Sequence, residues 1–191
     1  MKKKMFLIVD AQYDFIEGGS LPVGGSKNAM DNLVEYIIKH GKEYASVVLT
    51  ADWHPQTHMS FKDNGGEWPK HCLQHSHGAA IYNPILKILG NMGVPYTILT
   101  KGCNEDREEY SIFKNPTSKE YLENLNNSQG FDTIDVCGLA GDICVLNTIK
   151  DGLIDFPNAT FNVLKDYAPS LDGGKTLTDF INKNERVVCQ E

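Results

Sequence analysis

Residues 131–153, FDTIDVCGLAGDICVLNTIKDGL, contain the pattern that decides the fold. The apolar, β-branched run at 131–137 predicts a buried strand, and the amphipathic stretch at 142–153 predicts a helix. Gly138 and Gly141 bracket the turn between them. A strand, a short glycine-bracketed turn and a helix are the elements of an α/β unit.

Similar apolar runs and amphipathic stretches alternate along the rest of the chain. The predicted strands are 5–9, 46–50, 96–100, 131–137, 159–164 and 186–189. The predicted helices are 26–40, 79–92, 118–126, 142–153 and 174–182. Strands that are apolar throughout are typical of a sheet buried on both faces, and the alternation with helices makes that sheet mostly parallel. We therefore predict an α/β fold with three layers, α/β/α, around a mostly parallel six-stranded sheet, in a single domain spanning 1–191.

Composition and charge restrict the function classes. The 191 residues are 41% apolar and 23% charged, which is typical of a soluble globular protein. A formal net charge of -7 argues against a nucleic-acid partner. No run approaches the ~20 apolar residues that a membrane span needs. Five irregularly spaced cysteines form a poor disulfide framework, so we expect free thiols and a cytoplasmic location.

Four chemically capable residues follow the ends of the first four predicted strands. They are Asp10, Asp52, Lys101 and Cys144. Ligands of open parallel sheets bind beyond the carboxyl ends of the strands, so these side chains are expected to converge on one edge. Cys144 is predicted in the first turn of a helix, where backbone amides lower a thiol pKa and favour a nucleophile. The alternative for any cysteine is a small buried hydrophobe.

Asp10 and Lys101 have the chemistry to support such a nucleophile. A carboxylate at 10 could take the thiol proton and later return it to a leaving amine. An ammonium within ~4–6 Å favours the ionised form of both groups. The alternatives are a loop-capping aspartate and a solvated lysine.

The long irregular segment 51–78 carries five of the six histidines. Asp52 and His54 are separated by one residue after a strand, so their side chains can face one ion. His58 and His71 follow in the same segment. A lone histidine is normally structural, but several beside an aspartate predict a metal site. An oxygen and nitrogen ligand set suits Zn, Mn or Fe without distinguishing them.

These segments resemble the motifs of the nicotinamidases within the isochorismatase-like cysteine hydrolases. The matching segments are 10–15 with 18–21, 51–55, 68–72, 101–102 with 110–113, and 138–145. The resemblance covers nearly the whole chain and implies the isochorismatase-like hydrolase fold. Its two metal segments are the most specific part, because isochorismatase-type relatives generally lack the metal site.

The resemblance implies a role for each matching residue. It implies a catalytic triad of Asp10, Lys101 and Cys144, and a cis peptide between Leu139 and Ala140. It implies an oxyanion hole made by the backbone amides of Ala140 and Cys144. The implied metal ligands are Asp52, His54 and His71, and the implied walls of a pyridine slot are Phe15, Leu21, Trp68 and Tyr110.

The implied activity is hydrolysis of nicotinamide to nicotinate and ammonia through a thioester, in NAD salvage. The implied cofactor is one divalent metal ion, with Zn as first choice and Mn or Fe as alternatives. Additional coordination by His58, His75 or His77 stays open, and a homo-oligomer is expected. Three rival functions remain: a related amidase for carbamoyl or ureido substrates, a catalytically silent metal-binding relative, and a metallohydrolase in which Cys144 is incidental.

Overall fold

The computed structural model describes residues 3–190, in which six strands alternate with five α-helices. The strands are Lys4–Val9 (β1), Ser46–Asp52 (β2), Tyr96–Lys101 (β3), Thr133–Gly138 (β4), Thr160–Leu164 (β5) and Val187–Gln190 (β6). The helices are Ser26–His40 (α1), Asn83–Met92 (α2), Pro116–Gln129 (α3), Leu146–Asp155 (α4) and Lys175–Asn182 (α5). All neighbouring strands pair in parallel, in the order β3-β2-β1-β4-β5-β6. The predicted fold class is confirmed.

Two hydrophobic clusters cover the two faces of the sheet. Alternate residues of β1 point to opposite faces, with Phe6 and Ile8 in one cluster and Met5 and Leu7 in the other. The first cluster includes the buried sides of α1 and α2, and the second includes those of α3, α4 and α5. The helices therefore form the two outer layers that an apolar parallel sheet requires.

Helix boundaries agree with the sequence prediction for α1 and differ elsewhere. Helix α2 begins at Asn83 instead of 79, because the preceding segment is extended and Ile81 bridges to Gln12. Helix α3 is longer than predicted. Its first turn is capped by Asn115, whose side chain accepts a hydrogen bond from the Ser118 amide at 3.1 Å, and Pro116 suits the first helical position.

The turn that carries Cys144 is wider than an α-helical turn. Residues Gly141–Val145 form a π-helical turn that leads into α4, in which the carbonyl of Ala140 accepts hydrogen bonds from the amides of Ile143 and Val145. Cys144 therefore lies in a helical turn that leads into α4, and the difference from the prediction is that this turn is π-helical. Such π turns are frequent at functional sites because they displace a side chain from the regular helical position.

None of the helices in residues 3–190 combines the length and apolar character needed to span a membrane.

Candidate active site

The carboxyl ends of β1 to β4 bring the four predicted residues together. Asp52 and Lys101 are the last residues of β2 and β3, and they are paired across the two strands. Asp10 directly follows β1, and Cys144 lies in the π turn after β4. Because β3, β2, β1 and β4 are consecutive neighbours in the sheet, the convergence predicted from strand ends is confirmed.

Lys101 is the centre of this group and is fully buried. Its Nζ lies 2.8 Å from Asp10 Oδ2 and 3.5 Å from Cys144 Sγ, and it also contacts Asp52 Oδ1. Burial acts to lower the pKa of Lys101, but the carboxylates of Asp10 and Asp52 outweigh it and hold the pKa well above its usual value. The ammonium is therefore a fixed positive charge between two carboxylates and a thiol.

Asp10 is held by the neighbouring strand. Its amide donates to the Thr50 carbonyl at 3.1 Å, and the Thr50 hydroxyl donates to Asp10 Oδ1 at 2.6 Å. Within residues 3–190, Asp10 Oδ2 has no hydrogen-bond partner beyond the ion pair with Lys101. Burial raises the pKa of Asp10, against the effect of Lys101. One oxygen is thus anchored, and the other is free to exchange a proton.

The thiol of Cys144 is buried, with 5% of the residue exposed. Burial raises the pKa of the Cys144 thiol well above its usual value. The Lys101 ammonium opposes this increase, and the Asp10 carboxylate adds to it. The sequence-based expectation of a depressed thiol pKa was therefore wrong. The amides of a helix start lower a thiol pKa, whereas removal of the sulfur from solvent favours the neutral thiol. The proton of the thiol must leave before the sulfur can attack, and a base is adjacent.

The peptide between Leu139 and Ala140 is cis, as the resemblance implied. Gly138 precedes it with a φ of 123°, and a Cβ at this position would overlap the backbone of Val9. The Gly141 amide donates to the Pro169 carbonyl at 2.8 Å. These contacts fix the turn that presents Ala140 and Cys144 to the same cavity.

The predicted metal ligands form one buried group. Asp52, His54 and His71 each offer a ligand atom, and these atoms lie within 4.8 Å of one another. The Nδ1 of His54 lies 2.9 Å from the Gly102 carbonyl. The Nδ1 of His71 lies 2.8 Å from the Pro69 carbonyl. A carbonyl only accepts, so both rings carry their proton on Nδ1 and leave Nε2 free as a ligand. This donor set fits a divalent metal ion.

The other histidines of segment 51–78 lie outside that group. His58 uses both ring nitrogens, with Nδ1 2.7 Å from Ser60 Oγ and Nε2 3.0 Å from the Arg107 carbonyl. His75 packs edge-on against Trp53, and His77 packs on Tyr13. In the described part of the chain, the metal group is therefore limited to three side chains.

A pocket opens over the thiol and the metal group together. It includes all four residues predicted to line a ring slot: Phe15, Leu21, Trp68 and Tyr110. The Trp68 indole donates to the Tyr110 hydroxyl at 3.0 Å, which fixes two of these rings relative to each other. The pocket can therefore hold a flat aromatic ring between apolar walls, with Cys144 and the metal group both lining it.

Comparison with known proteins identifies the family. The isochorismatase domain family matches residues 4–155. The chain belongs to this family.

Proteins from three organisms are similar to this chain over most of its length. The nicotinamidase/pyrazinamidase of Mycobacterium tuberculosis is 33% identical over 153 residues, covering 78% of this chain and 78% of that protein. The pyrazinamidase of Pyrococcus horikoshii in complex with zinc has a TM-score of 0.80 at 28% identity, with 99% of both chains covered. The PnC1 protein of L. infantum in complex with nicotinate has a TM-score of 0.85 at 28% identity, with 100% of this chain and 93% of that chain covered.

The sequence did not identify several further residues of this isochorismatase-family pocket. They are Val23, Glu108, Ile143 and Leu171. Glu108 is the only acid among them, and burial raises its pKa. It lies in the acidic segment 105–109, which in sequence is typical of a solvated loop, so no signal marked it. Ile143 is adjacent to Cys144 and could have been found from that position alone.

Proposed function

We propose that this protein is a nicotinamidase that hydrolyses nicotinamide to nicotinate and ammonia. The observation that carries the proposal is the buried ammonium of Lys101, which contacts Asp10 and lies 3.5 Å from Cys144 beside a three-ligand metal group. A metal-binding protein without catalysis has no need of this buried, charged arrangement, which is costly to assemble. Cysteine, aspartate and lysine here act as nucleophile, general acid–base and charge stabiliser.

The first half of the reaction acylates the enzyme. Asp10 Oδ2 takes the proton of Cys144, and the sulfur attacks the carboxamide carbon. The backbone amides of Ala140 and Cys144 donate to the developing oxyanion. Asp10 then returns the proton to the nitrogen as the carbon–nitrogen bond breaks, so that ammonia leaves and a thioester remains.

The second half releases the acid. Asp10 takes a proton from water, the hydroxide adds to the thioester carbonyl, and the carbon–sulfur bond breaks. The proton held by Asp10 restores the Cys144 thiol, and the product acid leaves and gives its carboxyl proton to water, becoming nicotinate. Lys101 stays protonated throughout, because both neighbouring carboxylates favour its charged form.

Asp52, His54 and His71 would hold the divalent ion, which when bound supplies a Lewis acid for the ring nitrogen of the substrate. We propose Zn, because two neutral imidazoles and a carboxylate are common zinc ligands, with Mn or Fe as alternatives. The zinc complex of the P. horikoshii pyrazinamidase supports the same choice. Pyrazinamide, like nicotinamide, has a ring nitrogen meta to its carboxamide, and we propose it as a second substrate.

The cellular setting belongs to the same proposal. A nicotinamidase of the cytoplasm would act in NAD salvage as a single domain covering residues 1–191, with neither nucleic acid nor a membrane as partner. We also propose a homo-oligomer, since Tyr96 and Ile98 on the edge strand β3 are exposed apolar side chains. Light scattering at micromolar concentrations tests the assembly, and a monomer mass throughout would refute it.

The direct test measures ammonia released from nicotinamide by the purified protein, with and without a metal chelator. The matched control is Cys144→Ala, which leaves the metal group intact. Ammonia release that needs both the metal and Cys144 supports the proposal. Release that survives Cys144→Ala would indicate a metallohydrolase, and activity on carbamoyl or ureido substrates alone would indicate a related amidase.

A further inference from the structure

The carboxylate of Glu109 is fully buried although its segment, 104–109, is mostly charged and otherwise more exposed. Its Oε2 accepts hydrogen bonds from the Gly102 amide at 2.7 Å and from Asn115 Nδ2 at 3.1 Å. Among the described residues, its Oε1 has no hydrogen-bond partner, and Arg107 Nη1, which is half exposed, lies 3.9 Å from it. Burying a carboxylate with one unpaired oxygen is costly, so the position calls for a function.

Gly102 connects this carboxylate to the metal group. Its amide donates to Glu109, and its carbonyl accepts from Nδ1 of His54 at 2.9 Å. The φ of Gly102 is +64°, in the left-handed region that favours glycine, and a Cβ there would overlap the His54 ring. Gly102 is therefore held between the side chains of Glu109 and His54.

The orientation of His54 depends on this connection. While Gly102 accepts at Nδ1, the Nε2 of His54 lies 3.6 Å from Asp52 Oδ2, within the metal group. Partners that orient a ligating histidine in this way typically change metal affinity by 10–100-fold. The pocket is lined by Glu108 and not by Glu109, so Glu109 has no contact with a substrate there.

We infer that Glu109 is a positioning residue for the metal ligand His54 and acts through Gly102. The inference rests on the proposed function, because it requires the metal site. The main chain of the same loop also contacts segment 51–78, where the Arg107 carbonyl lies 3.0 Å from His58 Nε2 and the Glu105 carbonyl accepts from the Met59 amide. Those contacts do not involve the Glu109 side chain, so they remain in variants at this position.

Glu109→Met and Glu109→Gln form a matched pair of similar volume. The side-chain oxygen of glutamine can accept the hydrogen bonds from Gly102 and Asn115. Its NH2 group then takes the place of the unpaired Oε1 of Glu109. Methionine fills the same space without an acceptor. Asn115→Ala is the control for a purely structural role, since it removes the other hydrogen bond to the same Oε2 and the cap of α3 but leaves the Gly102 amide bonded.

The experiment measures the zinc dissociation constant of each purified protein by chelator competition, together with the unfolding midpoint of the metal-free form. We expect Glu109→Met to weaken zinc binding by about 10–100-fold. Glu109→Gln should stay close to wild type. Asn115→Ala should lower the unfolding midpoint and leave the zinc dissociation constant close to wild type.

If the wild type binds zinc and hydrolyses nicotinamide, the proposed function stands, and either of two results would overturn only the inference about Glu109. One is a Glu109→Met protein with the wild-type zinc dissociation constant, and the other is an equal loss of zinc affinity in Asn115→Ala. If Glu109→Met does not fold, a loss of zinc affinity in Glu109→Gln as large as 10-fold would also overturn it. A wild-type protein that binds no zinc would instead overturn the proposed metal site together with the inference.

Discussion

The Nζ of Lys101 lies 3.5 Å from the Sγ of Cys144, and both side chains are buried. The ammonium can therefore stabilise a thiolate that burial alone disfavours. Electrostatic interactions are stronger in such an enclosed site than in water. The proposed mechanism therefore requires Asp10 and Lys101 together, one as the base for the thiol and the other as the charge beside the sulfur.

Cys144→Ala should abolish ammonia release from nicotinamide, because no other group in the pocket can form the acyl intermediate. Cys144→Ser should be nearly as inactive, since a buried hydroxyl is much harder to ionise than a thiol. The assay is steady-state ammonia release, with metal content measured on the same samples. A metal-loaded Cys144→Ala protein that keeps a tenth of wild-type activity would refute the covalent mechanism.

Asp10→Asn and Lys101→Met should each lower kcat steeply, with loss of general acid–base catalysis alone worth ~10²–10⁴-fold. Their effects should not multiply in the double variant, because the three residues act as one unit. Fully multiplicative losses would count against a shared triad.

Glu17 supports the start of α1, where it accepts hydrogen bonds from the Ser26 hydroxyl and from the Lys27 and Gly25 amides. These bonds, led by that of Ser26, lower the pKa of Glu17 to about 2 from an ordinary value of 4.5. A depressed carboxyl pKa stabilises the folded state above the unfolded pKa and loses that contribution as pH falls through the folded one.

Glu17→Gln should therefore lower the free energy of unfolding at pH 6 by about 1 kcal/mol, the size of a lost helix cap, reduced by solvent screening of this exposed side chain. The difference from wild type should shrink between pH 4.5 and about 2. Urea unfolding of both proteins at several pH values measures this difference in the free energy of unfolding. The other carboxylates are the same in both proteins, so their contributions cancel. A difference independent of pH would refute the capping role.

Much of the fold could be predicted because its signals are local. The apolar run of β4 and the glycines at 138 and 141 specify a strand and a turn without reference to the rest of the chain. The location of the site could be predicted from topology, because Asp10 directly follows β1 and Lys101 ends β3. His71 comes from a long loop, where the residue pattern offered both His58 and His71 as ligands, and the resemblance to a known family selected His71.

Other features depend on burial, which the sequence does not report. The raised pKa of Cys144 results from enclosure by side chains that are distant in sequence. Glu109 belongs to a charged segment that predicts a solvated loop, yet its carboxylate is inside. Leu171 reaches the pocket from an irregular segment after β5, where no periodicity marks its direction. Long-range packing decides each of these three cases.

The role of the metal group separates the proposed nicotinamidase from its rivals most sharply. If the ion bound by Asp52, His54 and His71 holds the ring nitrogen, a substrate with that nitrogen should depend on the ion far more than one without it. Nicotinamide and benzamide differ at this atom and little in shape. A site built to bind a polar substrate atom can reject an analogue that lacks this atom by ~10⁴-fold in kcat/KM.

The decisive measurement is therefore kcat/KM for nicotinamide and for benzamide, in metal-loaded wild type and in His54→Ala. The wild type should strongly prefer nicotinamide. His54→Ala should lose nicotinamide turnover and most of that preference. Equal kcat/KM for the two amides in the metal-loaded wild type would contradict the account, because the metal would then have no part in selecting the substrate.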